Sequence, residues 1–343
     1  MNYQSAEECI RCLETLVQQR AELPASQVVV ADGGSQDNSV EVLQKWMAEQ
    51  EDVEWISLWP LGLNGGFGWA HNQVILRALQ SESPPDFIHL LNPDTRLESG
   101  AIAALRGAFD RAPRIACVGS QLVNSQGGLQ PAGFQFPNIR TELARGARVP
   151  LLARLALAPS PVIAADGAPN YVPAVSGASC MVRVAAMREI GLFDEGFFLY
   201  FEEIEWMHRM QRAGWRVAHE PASRVHHVGG ASTKLSRDDS ELSRSGRPFY
   251  WYQSQRRCLV RTLGSARAHL AFYLWWLGYV FIGVPRSFVS TSARSGMIKN
   301  ELRDARRAWR HSSPLDQATH APFPDDLPGS DPAWLALTAE QGS

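Results

Sequence analysis

Three carboxylates crowd into four positions, Glu202, Glu203 and Glu205, just after an aromatic run (Phe197, Phe198, Tyr200). The residues that follow read as a helix, Trp206 to Ala213, which Gly214 stops, and then as a short strand ending in His226 and His227. Such a helix–strand return carries the histidines back toward the acids, and acids beside histidines can move a proton or hold a metal. A run of acids on its own is more often a solvated helix amino end, where the helix dipole favours negative charge. Glu202, Glu205 and His208 also share one helix face at i, i+3 and i+6, but di-metal bundles use two such units and the sequence has one.

These groups need a scaffold. The upstream chain alternates short apolar, β-branched runs with helical patterns, the mark of an α/β sheet. Gln27 to Ala31 reads as a buried strand, followed by the turn Asp32-Gly33-Gly34-Ser35-Gln36-Asp37-Asn38-Ser39 and a helix over about 40–50. Asp32 then stands at a strand's carboxyl end, where such sheets bind ligands; the competing reading is a plain turn with Asp37 capping the helix. Trp55 to Trp59 is a second strand, stopped by Pro60. The stretch Asn64-Gly65-Gly66-Phe67-Gly68-Trp69-Ala70-His71-Asn72 opens a helix to about Leu79. Its glycines would let a diphosphate approach the backbone, and a helix amino end favours anions. Phe87 to Leu91 is a third strand, ending in Asn92-Pro93-Asp94-Thr95, with a helix over about 100–112 and a further strand at Ile115 to Gly119. Asp94 is either a helix cap or a carboxylate placed to hold a divalent ion that holds a diphosphate.

Before the first strand, 1–20 reads as a helix capped by Ser5, with Glu7 and Glu8 in its first turn. Cys9 and Cys12 form a lone C-x-x-C on it, read as helix-face residues ahead of a redox or zinc pair. Residues 127–170 are irregular; Arg145, Arg148 and Arg154 stand among leucines there without an assignable chemical role.

In their order and spacing these pieces resemble the inverting family 2 glycosyltransferases, the rhamnosyltransferase-like branch in particular. That pattern runs G-x-F-D-E-x-F-F-x-Y-x-E-D-x-D, R-x-x-x-x-G-W, then P-x-A-x-x-x-H and a Gly-Ser turn. Here it is carried by Gly191, Phe193-Asp194-Glu195, Phe197-Phe198, Tyr200, Glu202-Glu203-Ile204-Glu205, Arg209, Gly214-Trp215, Pro221, His227 and Ser232. The departure is Glu-Glu-x-Glu for Glu-Asp-x-Asp, which keeps each charge and lengthens two side chains. The resemblance covers about residues 2–235.

The resemblance implies an α/β nucleotide-diphospho-sugar transferase fold of the GT-A type, a mostly parallel central sheet flanked by helices with a helical C-terminal tail. Family members open with an apolar strand ending in V-x-N-Y, and this sequence opens at Met1-Asn2-Tyr3, so the first strand is expected to be missing. It implies Glu203 as catalytic base, with Glu202 and Glu205 as neighbours whose like charge raises a carboxyl pKa. Asp94 and His227 would reach a divalent cation, Mg²⁺ or Mn²⁺. Asp32, Gly34 and Asp37, with Asn64, Gly66, Phe67 and Asn72, would bind the nucleotide and donor. Gly177, Ala178, Asp194 and Glu195 would lie on the acceptor side, the small residues leaving room for a sugar or for close strand packing. His226 is read as packing or outer-shell. The partners implied are a nucleoside-diphosphate sugar and a glycan or lipid-linked acceptor.

Bulk composition agrees. The 343 residues allow a catalytic domain over 1–240, divided near 120 into nucleotide-sugar and acceptor halves, a helical region at 241–312 and an extended tail at 313–343. A net charge of −2 speaks against a nucleic-acid binder, and five cysteines suit a reducing, cytoplasmic setting with no signal peptide apparent. Residues 271–284 are apolar and aromatic over only about fourteen positions, short of the roughly twenty a spanning helix needs. Arg286, Arg294, Lys299, Arg303, Arg306, Arg307 and Arg310 follow. That combination favours lying on an anionic membrane through about 266–310 over a buried helix or a dimer face. Two rivals stand: a truncated or inactive relative that binds nucleotide sugar or glycan, and a nucleotidyltransferase, whose early Gly-rich, Lys/Arg-bearing signature is missing.

Overall fold

The computed structural model describes residues 1–23, 25–131, 133–149, 170–229, 246–290 and 298–310. Ser232, Arg154, Arg294 and the 313–343 tail lie outside the described residues.

The first helix is α1 (Ala6–Gln18), whose buried Cys9, Cys12, Leu13 and Leu16 face the core at helical spacing. Ser5 precedes it, but its hydroxyl donates to Asn2 Oδ1 at 3.0 Å and makes no cap bond, which corrects its expected role. Burial pushes the Cys9 thiol up to about 12, and Cys12 rises for the same reason. Both therefore stay protonated packing groups, as the helix-face reading has it. Next come β1 (Val28–Asp32), α2 (Ser39–Glu49), β2 (Ile56–Pro60), α3 (Phe67–Leu79) and β3 (Phe87–Leu91). They are followed by β4 (Thr95–Leu97), α4 (Ala101–Ala108), β5 (Ile115–Val123), β6 (Gly133–Phe134), α5 (Ile139–Ala147), β7 (Asn170–Tyr171), β8 (Ala174–Val175), β9 (Ser179–Arg183), α6 (Val184–Ile190), α7 (Glu202–Arg212) and β10 (Arg216–His227).

The sheet is mixed, which corrects the expectation of a mostly parallel one. β5 and β10 pair in parallel, but β9 runs antiparallel between β3 and β5, and β4 and β7 run antiparallel to β10. The order is β3-β9-β5-β10-β4, with β7 on β10. β1 and β2 form a separate parallel pair. Among the described residues, β1's other edge meets only Asn2, whose N–H donates to Ala31 O at 2.7 Å and whose carbonyl accepts from Gly33 N at 2.9 Å. The main core lies between the sheet and α7, around the fully buried Phe193, Phe197 and Trp206.

Among the described residues three helices follow: α8 (Phe249–Leu263), α9 (Ser265–Val289, with a π-helical turn at Tyr279–Gly283) and α10 (Glu301–Arg310). The apolar tract judged too short to span is thus part of a helix of 25 residues, long and apolar enough by length and composition to cross a membrane. Its polar ends, including Ser265 and Arg286, hide that length from a count of apolar residues.

Candidate active site

The first corner of the site is made by strand register. β4 begins directly after the Asn92-Pro93-Asp94 turn and pairs with the end of β10, His227 opposite Thr95 and His226 opposite Arg96. Asp94 is therefore held beside His227: Val228 N donates to Asp94 O at 3.1 Å, and His227 Nε2 lies 3.4 Å from Asp94 Oδ1. Both side chains are buried. Adjacent residues on a strand face opposite ways, so His226 points elsewhere and meets Glu98 Oε1 at 2.9 Å, where Arg224 also binds. The helix-cap reading of Asp94 fails because a strand, not a helix, follows it. Carboxylate and imidazole suit a divalent cation such as Mn²⁺, and Mg²⁺-type sites commonly pair one or two carboxylates with substrate phosphates. Among the described residues no cluster of three or more His, Cys, Asp or Glu could hold a metal, so a diphosphate would have to supply further ligands here. Asp94→Asn is expected to weaken Mn²⁺ binding in the presence of nucleoside diphosphate by at least about 10-fold, the loss seen even for outer-shell partners; titration calorimetry reads it.

The second corner is the start of α7. Glu202 and Glu203 occupy its first turn, and each has an Oε2 that is buried and without a hydrogen-bond partner. Burial pushes the Glu202 carboxyl well up, with the Glu203 charge adding to it, and burial likewise raises Glu203. Glu202 is buried and Glu203 half-buried, so desolvation and like charge together favour a shared proton on this adjacent pair. Glu205 differs: burial raises it, but Arg209 opposes this, its Nε donating to both carboxylate oxygens at 2.9 and 3.0 Å. Arg209 then donates to Ile190 O and Leu192 O, both at 2.7 Å, so this pair ties α7 to the preceding loop. His208 packs edge-on against Phe136 and forms no cluster with Glu202 and Glu205.

Gly177 and Ala178 link the corners. A Cβ on Gly177 would lie 3.7 Å from Glu203 Cβ and Cγ and 3.5 Å from Phe67 Cζ. The next carbonyl, of Ala178, accepts from Asn92 N at 2.9 Å, two residues before Asp94. Glu203, Phe67 and the Asp94 turn thus border one short segment.

The glycine loops abut each other as a donor pocket would require. Gly34 (φ 71°) lies against Leu63, and Leu61 N donates to Asp32 O at 2.8 Å. Asn64 Oδ1 accepts from Gly66 N at 3.1 Å. Gly66 has φ 89°, and a Cβ there would lie 2.1 Å from Phe198 O. Gly66→Ala is therefore expected to cost donor affinity, because the loop must leave Phe198; fluorescence titration with a nucleotide sugar measures it.

Several expected ligand contacts are occupied by the protein itself. Asp32 is fully buried, its Oδ1 accepting from Ser35 N at 2.8 Å and its Oδ2 from Ser35 Oγ at 2.7 Å and Asn2 Nδ2 at 2.8 Å. It shapes the loop through these bonds, with one acceptor position on Oδ1 left over. Asp37 is exposed and accepts from Ser39 N at 3.1 Å, one residue before the helix cap at Asn38. Asn72 is a buried crosslink: Nδ2 donates to Phe193 O at 3.0 Å and Glu195 Oε1 at 2.8 Å, and Oδ1 accepts from Phe193 N at 3.1 Å. Asp194, expected on the acceptor side, is fully buried against two arginines. In this structure the polar motif residues Asp32, Asn72 and Asp194 cross to other segments and hold position, a direction that sequence does not reveal.

Sequence reading missed α8 as part of the site. Arg257 donates to Asp194 at 2.7, 2.9 and 3.1 Å, and Arg261 Nε lies 3.2 Å from Asp194 Oδ2. A Cβ on Gly196 would lie 2.2 Å from Arg257 Cζ, so glycine is what lets the guanidinium sit there. Tyr200 and Phe201 have φ of 72° and 71°, a left-handed pair that side chains disfavour, directly before the acids. Tyr250 stacks on Tyr200, Trp251 meets Phe201 edge-on, and Ser254 Oγ donates to Leu199 O at 2.9 Å. The available signal was the arginine pattern of α8, since buried arginines require acidic partners.

The sequence model of the family described as "Glycosyltransferase like family 2" matches residues 1–245. A curated protein of Mycobacterium tuberculosis, in strains CDC 1551 / Oshkosh and ATCC 25618 / H37Rv, is 28% identical over 271 residues, 73% of this chain and 84% of the relative. It is called N-acetylglucosaminyl-diphospho-decaprenol L-rhamnosyltransferase. Among solved structures, GalNAc-T7 with UDP, GalNAc and Mn2+ superposes with TM-score 0.49 at 13% identity over 81% of this chain, which spans 55% of that protein. The mannosyltransferase PcManGT from Pyrobaculum calidifontis, with GDP-Man and Mn2+, gives TM-score 0.48 at 13% identity over 99% of this chain and 78% of its own.

Proposed function

Because this chain belongs to glycosyltransferase-like family 2, whose pattern spans residues 1–245, we propose that it is an inverting transferase of rhamnose or another hexose. The donor is a nucleoside-diphosphate sugar, and the acceptor is a hydroxyl of a lipid-linked or surface glycan. The observation that carries this reading is the convergence of Asp94 with His227, 3.4 Å apart and brought together by the pairing of β4 with β10. Glu203 stands across Gly177 from that turn. Asp94 and His227 would hold a divalent cation, which when bound neutralises the leaving diphosphate. Glu203 takes the proton of the acceptor hydroxyl, on the face opposite the leaving group, so the anomeric configuration inverts. Its buried oxygen has no competing donor, and its raised pKa makes it a stronger base than an ordinary carboxylate. The glycine loops at 33–34 and 65–66 bring backbone close enough to seat the nucleotide. The lipid-linked acceptor named for the mycobacterial relative supports a setting at the inner face of the membrane, with peripheral contact through about 266–310. The catalytic unit is taken to run over 1–240, supported from 241–312.

The test is a panel of nucleotide sugars with Mg²⁺ or Mn²⁺ and a polyprenyl-diphosphate sugar acceptor. Metal-dependent release of nucleoside diphosphate from one donor is the expected result and names that donor. Absence of binding by every donor would sink the reading. Binding without release across all acceptors would favour the inactive relative.

A further inference from the structure

The helix α9 has two unlike faces. Ala268, Ala271, Trp275 and Tyr279 are buried against the protein. Gly146 of α5 permits this: a Cβ there would lie 2.1 Å from Trp275 O, and one on Gly278 would lie 2.9 Å from Ala147 N. On the other side Leu270, Tyr273, Leu277, Phe281 and Phe288 are 48, 59, 41, 65 and 75% exposed. The first four fall at i, i+3, i+7 and i+11, one line along the helix as far as its π-helical turn, and Phe288 extends the exposed apolar surface beyond it. Single exposed apolar residues are ordinary, but a run of them over most of a 25-residue helix marks an interaction surface.

The charge beside that line is of one sign. Arg303, Arg306, Arg307 and Arg310 of α10 are all exposed, and with Tyr279, Ile298 and Glu301 they line a cavity of about 610 Å³. The acids of α10 do not cancel them. Glu301 is buried against Arg145, Arg148 and Arg247, and among the described residues Asp304 pairs with Arg303. Arg306 lies over the Trp276 ring, which joins the basic face to α9.

We propose that α9 and α10 together form a docking surface for an anionic phospholipid bilayer, the apolar line entering the headgroup–acyl boundary and the arginine-lined cavity receiving lipid phosphate. This deepens the peripheral contact suggested above and rests on that reading for its biological setting. The helix lies on the bilayer and does not span it, because its glycine-seated face is committed to α5. An anionic partner is favoured over a second copy, since self-association through this face would gather like charges.

Flotation of the full chain with phosphatidylcholine vesicles, with and without phosphatidylglycerol, tests this. Binding is expected only with phosphatidylglycerol, and it should weaken with salt. Arg306→Gln with Arg310→Gln should lower vesicle affinity by about fivefold for each arginine removed. Phe281→Ser with Phe288→Ser should release the chain from vesicles at every salt concentration; both positions are exposed, and an unchanged melting curve confirms the fold. Equal binding to neutral vesicles, or no binding to either, overturns the proposal. So does a serine pair that leaves flotation intact while turning a dimer into a monomer. Flotation needs no turnover, so a chain that floats but transfers nothing counts against the transferase reading alone.

Discussion

Glu203→Gln is expected to lower sugar transfer by about 10²–10⁴-fold, the span of a positioned general base, while nucleotide-sugar binding is kept. The amide preserves shape and packing against Gly177 but cannot accept the acceptor's proton. Glu202 does not take over in place, because its burial, which keeps its carboxyl above the ordinary range, remains after the Glu203 charge is removed. The same geometry fixes the pH dependence. Glu203 works only when deprotonated, and its folded value is raised by burial, so activity should fall on the acid side from a pH above the ordinary carboxylate range. The linked stability has the opposite sense. The folded state binds these protons more tightly than the unfolded chain does, so the pair's stabilising contribution is present below the unfolded carboxyl pKa and is lost as pH rises through the folded one. In Glu203→Gln the acid limb should move and the fold should gain stability near neutral pH, read by a pH–rate profile and by melting curves. An unchanged limb would place the base elsewhere. An unchanged rate would remove Glu203 from the chemistry.

The sequence carried these corners unevenly. Asp94 and the two acids of α7 were readable because a strand end and a helix start have fixed chemistry whatever surrounds them. The pairing of Asp94 with His227 required the three-residue β4, which is too short for its alternation to register. The antiparallel insertion of β9 was hidden for a related reason: a buried apolar run such as 179–183 reads alike in either direction. Asn72 and Asp194 were recognised as important but assigned to ligands. Their partners, Phe193 and Arg257, lie 121 and 63 positions away, and the orientation of a polar side chain follows from packing that no local pattern encodes.

Arg257 is where that hidden packing should matter most. Asp194 and Arg257 are both buried, and the pair joins α8, outside the family pattern, to the loop that enters α7. Removing one partner of a buried ion pair leaves a charge without its counterion, at a cost of about 3–5 kcal/mol. Asp194→Leu should lose the larger amount, because Arg257 and Arg261 both depend on it. Arg257→Met should lose less, because Arg261 and the Gly196 N–H, 2.9 Å from Oδ1, remain. The double variant should recover part of either loss, since an apolar pair strands no charge. The functional effect separates position from stability. Tyr200 and Phe201 hold a disfavoured backbone only while α8 grips the loop, and Glu203 begins two residues later. At a temperature where each variant stays folded, kcat should fall several-fold while donor KM, set by the loops at 33–34 and 65–66, changes little. Arg257→Lys should restore stability better than rate, because a lysine ammonium cannot reproduce the forked contact with both Asp194 oxygens. If kcat and KM move together in every variant, α8 supports the fold as a whole and not the base.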